Sequence, residues 1–101
     1  MSRRLELHEI LVGLLGSRYV YFQPPESIKM TYPCIVYGRS SSDTIYANNK
    51  VYRNKKRYTV TVIDKNPDSN IPDKLEQLPL CKFDRPYVTD NLNHDVYTLY
   101  Y

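Results

Sequence analysis

Hydrophobic side chains near the start of the chain recur at three- and four-residue steps, the spacing of one face of an α-helix. This pattern predicts a helix over residues 3–16, with an apolar face of Leu7, Ile10, Leu11, Leu14 and Leu15. Ser2 is suited to its N-cap and Gly16 to its C-terminal stop. Gly13 weakens the last turn, which suggests that another backbone passes close to it.

Proline marks the connection that follows this helix. Pro24, Pro25 and Pro33 lie between residues 17 and 33. Because proline lacks an amide donor and favours extended geometry in the preceding residue, we expect an ordered connection or edge segment, extended at Arg18–Phe22. The next segment, Cys34–Arg39, is a short apolar run with β-branched residues, which is typical of a central strand.

A polar stretch separates this strand from the clearest strand in the sequence. Thr44–Tyr46 and Lys50–Tyr52 flank Asn48 and Asn49, which tolerate the left-handed backbone of a tight turn. This stretch therefore predicts a hairpin arm or a protruding loop. In Arg57–Asp64, aromatic and β-branched side chains alternate between two faces, which predicts a strand.

The second helix is predicted after the turn-forming residues 66–69. Ile71, Leu75 and Leu78 fall on one helical face, and Pro79 ends the helix. Pro72 is tolerated because it lies in the first turn.

The C-terminal part of the chain reads as strands. We expect an interrupted strand, formed by Leu80–Phe83 and Tyr87–Thr89 and broken near Pro86, then a polar loop at Asp90–Asp95 and a terminal strand at Val96–Tyr101. Helices packed on a mainly antiparallel sheet give an α+β architecture, and residues 1–101 fit a single domain. Exposed edges of such a sheet invite pairing with another chain.

Composition adds one unusual feature to this picture. The chain has eleven tyrosines, two phenylalanines and no tryptophan. Tyrosine is favoured in strands, but it is also enriched in protein–protein interfaces. The formal net charge of +3 is too small to imply nucleic-acid binding by itself, and no stretch reaches the roughly 20 apolar residues of a membrane span.

Candidate catalytic and metal-binding residues are few. Neither His8 nor His94 has a second histidine or cysteine at ligand spacing, so we expect no metal site, no cofactor and no catalytic residue. The N-terminal segment does not resemble a signal peptide, and Cys34 and Cys81 are therefore expected to be free thiols, with Cys34 buried and inert. A Cys–His pair that meets only in the folded protein stays open.

Two charged clusters allow alternative functions. Asp64, Asp68 and Asp73 cluster around a predicted strand-to-helix turn, and metal-dependent nucleases use such carboxylates, although capping of a helix N-terminus explains them more simply. Tyrosines are interleaved with a basic run, which suits either a nucleic-acid-binding module or a solvated arm that contacts protein. The run contains Lys50, Arg53, Lys55, Lys56 and Arg57.

A set of segments spread over most of the chain after the first helix carries a family resemblance: Tyr21–Met30, Tyr32–Tyr37, Lys56–Asp64, Pro67–Ser69, Ile71–Pro72, Leu78–Leu80, Phe83–Arg85, Asp90–His94 and Tyr97–Tyr101. These segments resemble small neck proteins of long-tailed bacteriophages. The family is that of the tail terminator, or tail-to-head joining, proteins, which are sometimes described as minor capsid proteins. These segments are family features and not mechanistic motifs.

The resemblance implies a structural virion protein without enzymatic activity, with a mixed sheet flanked by two helices. Such a protein is assembled in the host bacterial cytoplasm and forms a homo-oligomeric ring, usually a hexamer, at the head-proximal end of the tail. The ring ends polymerisation of the tail tube protein and contacts head-completion or connector proteins. DNA passes through its lumen without sequence-specific binding.

The expected contact surface between subunits is the arm around Asp43, Tyr46, Tyr52 and Arg53, which is polar, aromatic and poorly suited to its own core. Three alternatives remain: a head-closure or connector protein of the same neck, a small nucleic-acid-binding module that uses the basic run, and a small metal-dependent nuclease.

Overall fold

Two helices and five strands make up the part of the chain that the computed structural model describes, residues 3–40 and 56–101. The helices are α1 (Arg3–Leu15) and α2 (Ile71–Glu76), and the strands are β1 (Val20–Phe22), β2 (Cys34–Arg39), β3 (Arg57–Asp64), β4 (Cys81–Thr89) and β5 (Leu92–Tyr100). This set of helices and strands confirms the predicted α+β fold class.

The strands form one mixed sheet in the order β1-β2-β3-β5-β4. β1 runs parallel to β2, and the other neighbours are antiparallel. β2 and β3 have the predicted bounds, and β2 lies between two partners, as expected of a central strand. Among the described strands, the two at the edges are β1, with three residues, and β4, with nine.

The largest buried cluster lies on the face of the sheet that both helices cover. The register aligns Tyr37 of β2 with Val60 of β3, and Val60 with Tyr97 of β5, so these side chains share one face. The buried cluster on this face consists of Leu7, Leu11, Val20, Ile35, Tyr37, Tyr58, Val60, Val62, Ile71, Leu75, Tyr97 and Leu99. We call it the helix-side face.

Helix α1 follows the predicted pattern and ends where glycine allows it. Leu7 and Leu11 are fully buried, and Gly16 has the left-handed φ of +82° that stops the helix. Ile10 is only half-buried. The expected close approach at Gly13 is wrong, because a Cβ built there would meet nothing within 4 Å.

The end of the sheet differs from the prediction in two ways. β4 is one strand that continues through Pro86, with a register shift between Phe83 and Arg85. The predicted polar loop is wrong, since β5 already begins at Leu92. Asp90 and Asn91 have φ of 52° and 61° and form a two-residue turn, which is the tightest connection between antiparallel strands.

Candidate protein-interaction surface

Strand β4 is the most exposed element of the sheet. Among the described residues it pairs only with β5, and each of its own residues after Cys81 is exposed. Among these residues are three large hydrophobic side chains, Phe83 (40% exposed), Tyr87 (42%) and Val88 (67%). Single exposed hydrophobic residues are common on soluble proteins, but a group on one edge strand indicates an interaction surface.

The exposed apolar residues of β4 continue the core beyond the region that the helices cover. Phe83 is aligned with Tyr97, whose side chain belongs to the core. After the register shift, Pro86 is aligned with Asp95 and Val88 with Asn93, which lie on the same face as Tyr97. Phe83, Pro86 and Val88 therefore form an apolar row on the helix-side face, which we call the β4 strip.

Tyr97 connects the β4 strip to the helices. The rings of Phe83 and Tyr97 pack edge-to-face with centroids 5.3 Å apart, a favourable aromatic geometry. The Tyr97 hydroxyl donates to the Pro72 carbonyl of α2 at 3.4 Å. Burial first, and then the nearby Glu76 carboxylate, raise the pKa of Tyr97, so the hydroxyl stays protonated. Tyr97 thus fixes α2 on one side and Phe83 on the other.

The opposite face of the β4–β5 hairpin carries a second aromatic contact. Tyr87 stacks on His94 with ring centroids 4.4 Å apart and planes inclined by 15°. His94 was expected in a loop, but it lies in β5 and is buried. Its Nδ1 is 3.1 Å from the Leu92 carbonyl oxygen. The ring is therefore packed and hydrogen-bonded within the hairpin.

The outer edge of β4 is poorly suited to pairing with another strand along its whole length. Pro86 has no N–H, and the shift between Phe83 and Arg85 breaks the regular spacing of donors and acceptors. Lys82 and Arg85 add charges, which also discourage edge-to-edge aggregation. A partner at this edge is therefore expected to contact side chains of the strip more than a continuous main-chain ladder.

Asp95 borders the β4 strip and is partly desolvated. It lies between Val62 of β3 and Pro86 of β4 in the register. Burial raises the pKa of its carboxyl above the usual 3.8, and the neighbouring His94 opposes this only in part. Ionised Asp95 is therefore a cost to the isolated fold.

Replacement of Asp95 by Asn should stabilise the chain at neutral pH. The native state binds the Asp95 proton more tightly than the unfolded state, because the pKa of Asp95 is raised by folding. The contribution of Asp95 to the free energy of unfolding of the wild type is therefore fully present below pH 3.8. It is lost as the pH rises through the raised native pKa. The difference in unfolding free energy between Asp95→Asn and wild type, measured by urea titration at pH 7 and below pH 4, should therefore shrink at the lower pH. A difference that stays constant with pH would contradict this account.

On the same helix-side face, but near the β1 edge of the sheet, a cluster around Tyr37 holds α1 against β1 and β2. The Tyr37 hydroxyl is 2.8 Å from His8 Nδ1 and accepts from Arg4 at 3.4 Å. The Arg4 guanidinium also lies 4.4 Å above the Phe22 ring. Burial and the Arg4 charge lower the pKa of His8, which favours the neutral ring that can accept from the Tyr37 hydroxyl.

A second group of exposed hydrophobic residues lies beside β1. Tyr19 (42% exposed) directly precedes β1, and its carbonyl accepts from the Ile35 amide at 3.0 Å. Ile28 (38% exposed) lies in the connection from β1 to β2, which contacts the Tyr21 hydroxyl through the Thr31 amide. We call Tyr19 and Ile28 the β1 patch.

The expected capping of α2 by an acidic side chain is wrong, because the N-cap is Asn70 and it makes no side-chain cap hydrogen bond, but Asp64 and Asp73 fit other local roles. Asp64 Oδ1 accepts from the Asn66 amide at 3.0 Å, and Asn66 Oδ1 accepts from the Asp68 amide at 2.9 Å. Asp73 lies in the first turn of α2, where a carboxylate is favourable. Within residues 3–40 and 56–101, no group of three or more histidine, cysteine or acidic side chains could hold a metal ion.

Both cysteines are free, as predicted. Cys34 is fully buried in β2, and Cys81 is half-buried at the start of β4. Burial raises the pKa of each thiol to about 11. Both therefore stay protonated at neutral pH, and a protonated thiol is a weak nucleophile and a weak metal ligand.

The contact residues predicted from sequence, Asp43, Tyr46, Tyr52 and Arg53, lie outside the described residues, as do Lys50 and Lys55 of the basic run. Of that run, Lys56 is exposed and Arg57 begins β3. The β4 strip and the β1 patch were not predicted as interaction surfaces.

Two further findings complete the description of the chain. In the part of the chain that the structure describes, no helix is long and apolar enough to cross a membrane. A comparison with protein-family models, curated proteins and solved structures finds no match to this chain.

Proposed function

We propose that this chain is a structural protein of a phage neck, which forms a homo-oligomeric ring at the head-proximal end of the tail. In this role it ends polymerisation of the tail tube and joins the tail to the head-completion proteins, while DNA passes through the ring. The proposal assigns no catalytic residue and no cofactor. It rests on the sequence resemblance to tail terminator proteins and on the exposed surface of β4.

The β4 strip is the observation that favours a binding role most directly. It extends the apolar helix-side face past the edge of the helix layer, so Phe83 and Val88 remain in contact with water in the isolated chain. Covering apolar surface is favourable by about 25 cal/mol per Å². A partner that lies against β4 would complete the helix-side face, and ring neighbours are the partners that the proposed role supplies.

Polymerisation of the tail tube protein of the same virion tests this function. Purified chain, added during tube assembly, should shorten the tubes and should be found at one end of each tube by electron microscopy with labelled protein. Tubes of unchanged length with no bound label would contradict the proposal. Binding to the portal or connector proteins but not to the tube would instead favour a head-closure protein.

One observation favours a second candidate, a nucleic-acid-binding module. The Arg3 guanidinium lies 5.7 Å from the centre of the Tyr101 ring, and the Tyr101 amide donates to the Lys56 carbonyl at 3.0 Å. One cationic side chain therefore lies over an aromatic ring, and the ring's own residue is joined by a backbone hydrogen bond to the basic run, an arrangement that suits bases and phosphates. This candidate requires tight DNA binding that weakens with salt and with neutralisation of Lys55, Lys56 and Arg57.

A further inference from the structure

The β1 patch and the β4 strip lie at opposite edges of the described sheet. The strand order β1-β2-β3-β5-β4 places the β1 patch and the β4 strip four inter-strand spacings apart, roughly 19 Å. A symmetric dimer needs one patch that matches a copy of itself. Two different patches at opposite edges suit a contact in which one edge of a copy meets the opposite edge of the next copy.

The net charges of the two halves of the sheet are opposite in sign. The half that contains α1, β1 and β2, residues 3–40, has five basic side chains and three acidic ones: Arg3, Arg4, Arg18, Lys29 and Arg39 against Glu6, Glu9 and Glu26. The half that contains α2, β4 and β5, residues 71–101, has three basic side chains and five acidic ones: Lys74, Lys82 and Arg85 against Asp73, Glu76, Asp84, Asp90 and Asp95. The net charges are therefore +2 and −2.

This distribution favours unlike edges over like edges. A contact between two β4 edges would bring two acidic halves together, and a contact between two β1 edges would bring two basic halves together. A contact from β4 to β1 joins halves of opposite charge and covers apolar side chains from both. Partly desolvated Asp95, beside the β4 strip, would then face the basic half of the neighbouring copy.

We propose that the occupant of the β4 strip is the β1 patch of a second copy of this chain. The contact is heterologous, so each copy uses both edges, and a fixed rotation between copies closes the assembly into a ring. Side chains make most of this contact, because Pro86 and the register shift interrupt the outer edge of β4. The inference rests on the proposed ring function and specifies the surfaces that build the ring.

Two charge substitutions disrupt the two sides of the contact separately. Val88→Lys places a positive charge on the β4 strip against the basic half of the neighbour, and Ile28→Glu places a negative charge on the β1 patch against the acidic half. Both side chains are exposed, so the fold should be unchanged. Thr59, exposed on the central strand β3, provides matched controls for both charges, Thr59→Lys and Thr59→Glu.

Native mass, measured by light scattering after size-exclusion chromatography, gives the result for each variant alone and for a mixture. Each edge variant should weaken self-association by about a hundredfold or more and run as a monomer, whereas wild type and both Thr59 variants form the ring. An equimolar mixture of Val88→Lys and Ile28→Glu should associate again, because each mixed pair has one intact junction and a second junction at which the two substituted charges attract each other.

Several outcomes would overturn the inference. A mixture that stays monomeric, an Ile28→Glu variant that forms stable dimers alone, or edge variants that assemble like wild type would each show that the ring uses other surfaces, and the neck role would remain. Equal loss of assembly in the Thr59 controls would move the contact to the face of the sheet. A wild-type chain that never self-associates would overturn both the inference and the proposed function.

Discussion

Replacement of Leu11 by Ala is expected to lower the free energy of unfolding by about 2–5 kcal/mol. Leu11 is fully buried where α1 packs on the sheet, so the smaller side chain would leave a cavity in the core cluster. A domain of this size has a total stability of about 5–10 kcal/mol. The variant should therefore lose a large part of its stability, as measured by urea titration followed by circular dichroism.

Gly13 in the same helix provides the matched control. Gly13→Ala should raise stability by about 0.5–1 kcal/mol, because alanine favours the helix and its Cβ meets nothing within 4 Å. If Leu11→Ala lowers stability no more than a surface substitution does, α1 does not pack on the sheet as described. Since α1 packs against β1, such a result would also put in question the structure of the sheet edge beside the β1 patch.

Replacement of Tyr97 by Ala is expected to lower stability by about 3–5 kcal/mol. The ring is buried in the core cluster and packs against Phe83, so its loss would leave a cavity and remove the support of the β4 strip. We expect self-association to fall together with stability. Thermal unfolding and native mass, measured on the same sample, would reveal both effects.

Tyr97→Phe separates the ring from the hydroxyl group. This variant keeps the packing and loses only the hydrogen bond to the Pro72 carbonyl, a cost of about 1 kcal/mol. Its assembly should be that of wild type. A phenylalanine variant that is as unstable as the alanine variant would mean that the hydroxyl, and not the ring, makes the main contribution.

The sequence was most informative where one residue pattern repeats without interruption. The three- and four-residue spacing of α1 and the alternation of β3 predict the observed bounds to within a residue. β2 was predicted with its observed bounds from a short apolar run. In these segments the secondary structure that the residues prefer locally is also the one that buries their apolar side chains. The residue pattern is therefore sufficient to predict the element.

β4 and β5 were harder to predict because tertiary contacts override local signals there. Pro86 indicated a break, but β4 lies at the edge of the sheet, where a missing amide donor is tolerated. Asn93, His94 and Asp95 looked like a polar loop, yet they pair with both β3 and β4. A turn of only two residues, Asp90 and Asn91, leaves all three inside the strand.

The β4 strip was not visible in the sequence for a related reason. Phe83 and Val88 are five positions apart, so regular alternation would place them on opposite faces of the strand. The register shift between Phe83 and Arg85 brings them to the same face. The charge difference between the two halves could be counted from the sequence, but only the strand order shows that the halves are opposite edges.

The native mass of the purified wild-type chain, measured alone over a range of concentrations and again with tail tube protein, tests the central claim most directly. The account predicts a discrete closed oligomer whose mass does not grow further with concentration, and binding of that oligomer to the tube. A chain that remains a monomer under all these conditions would contradict it.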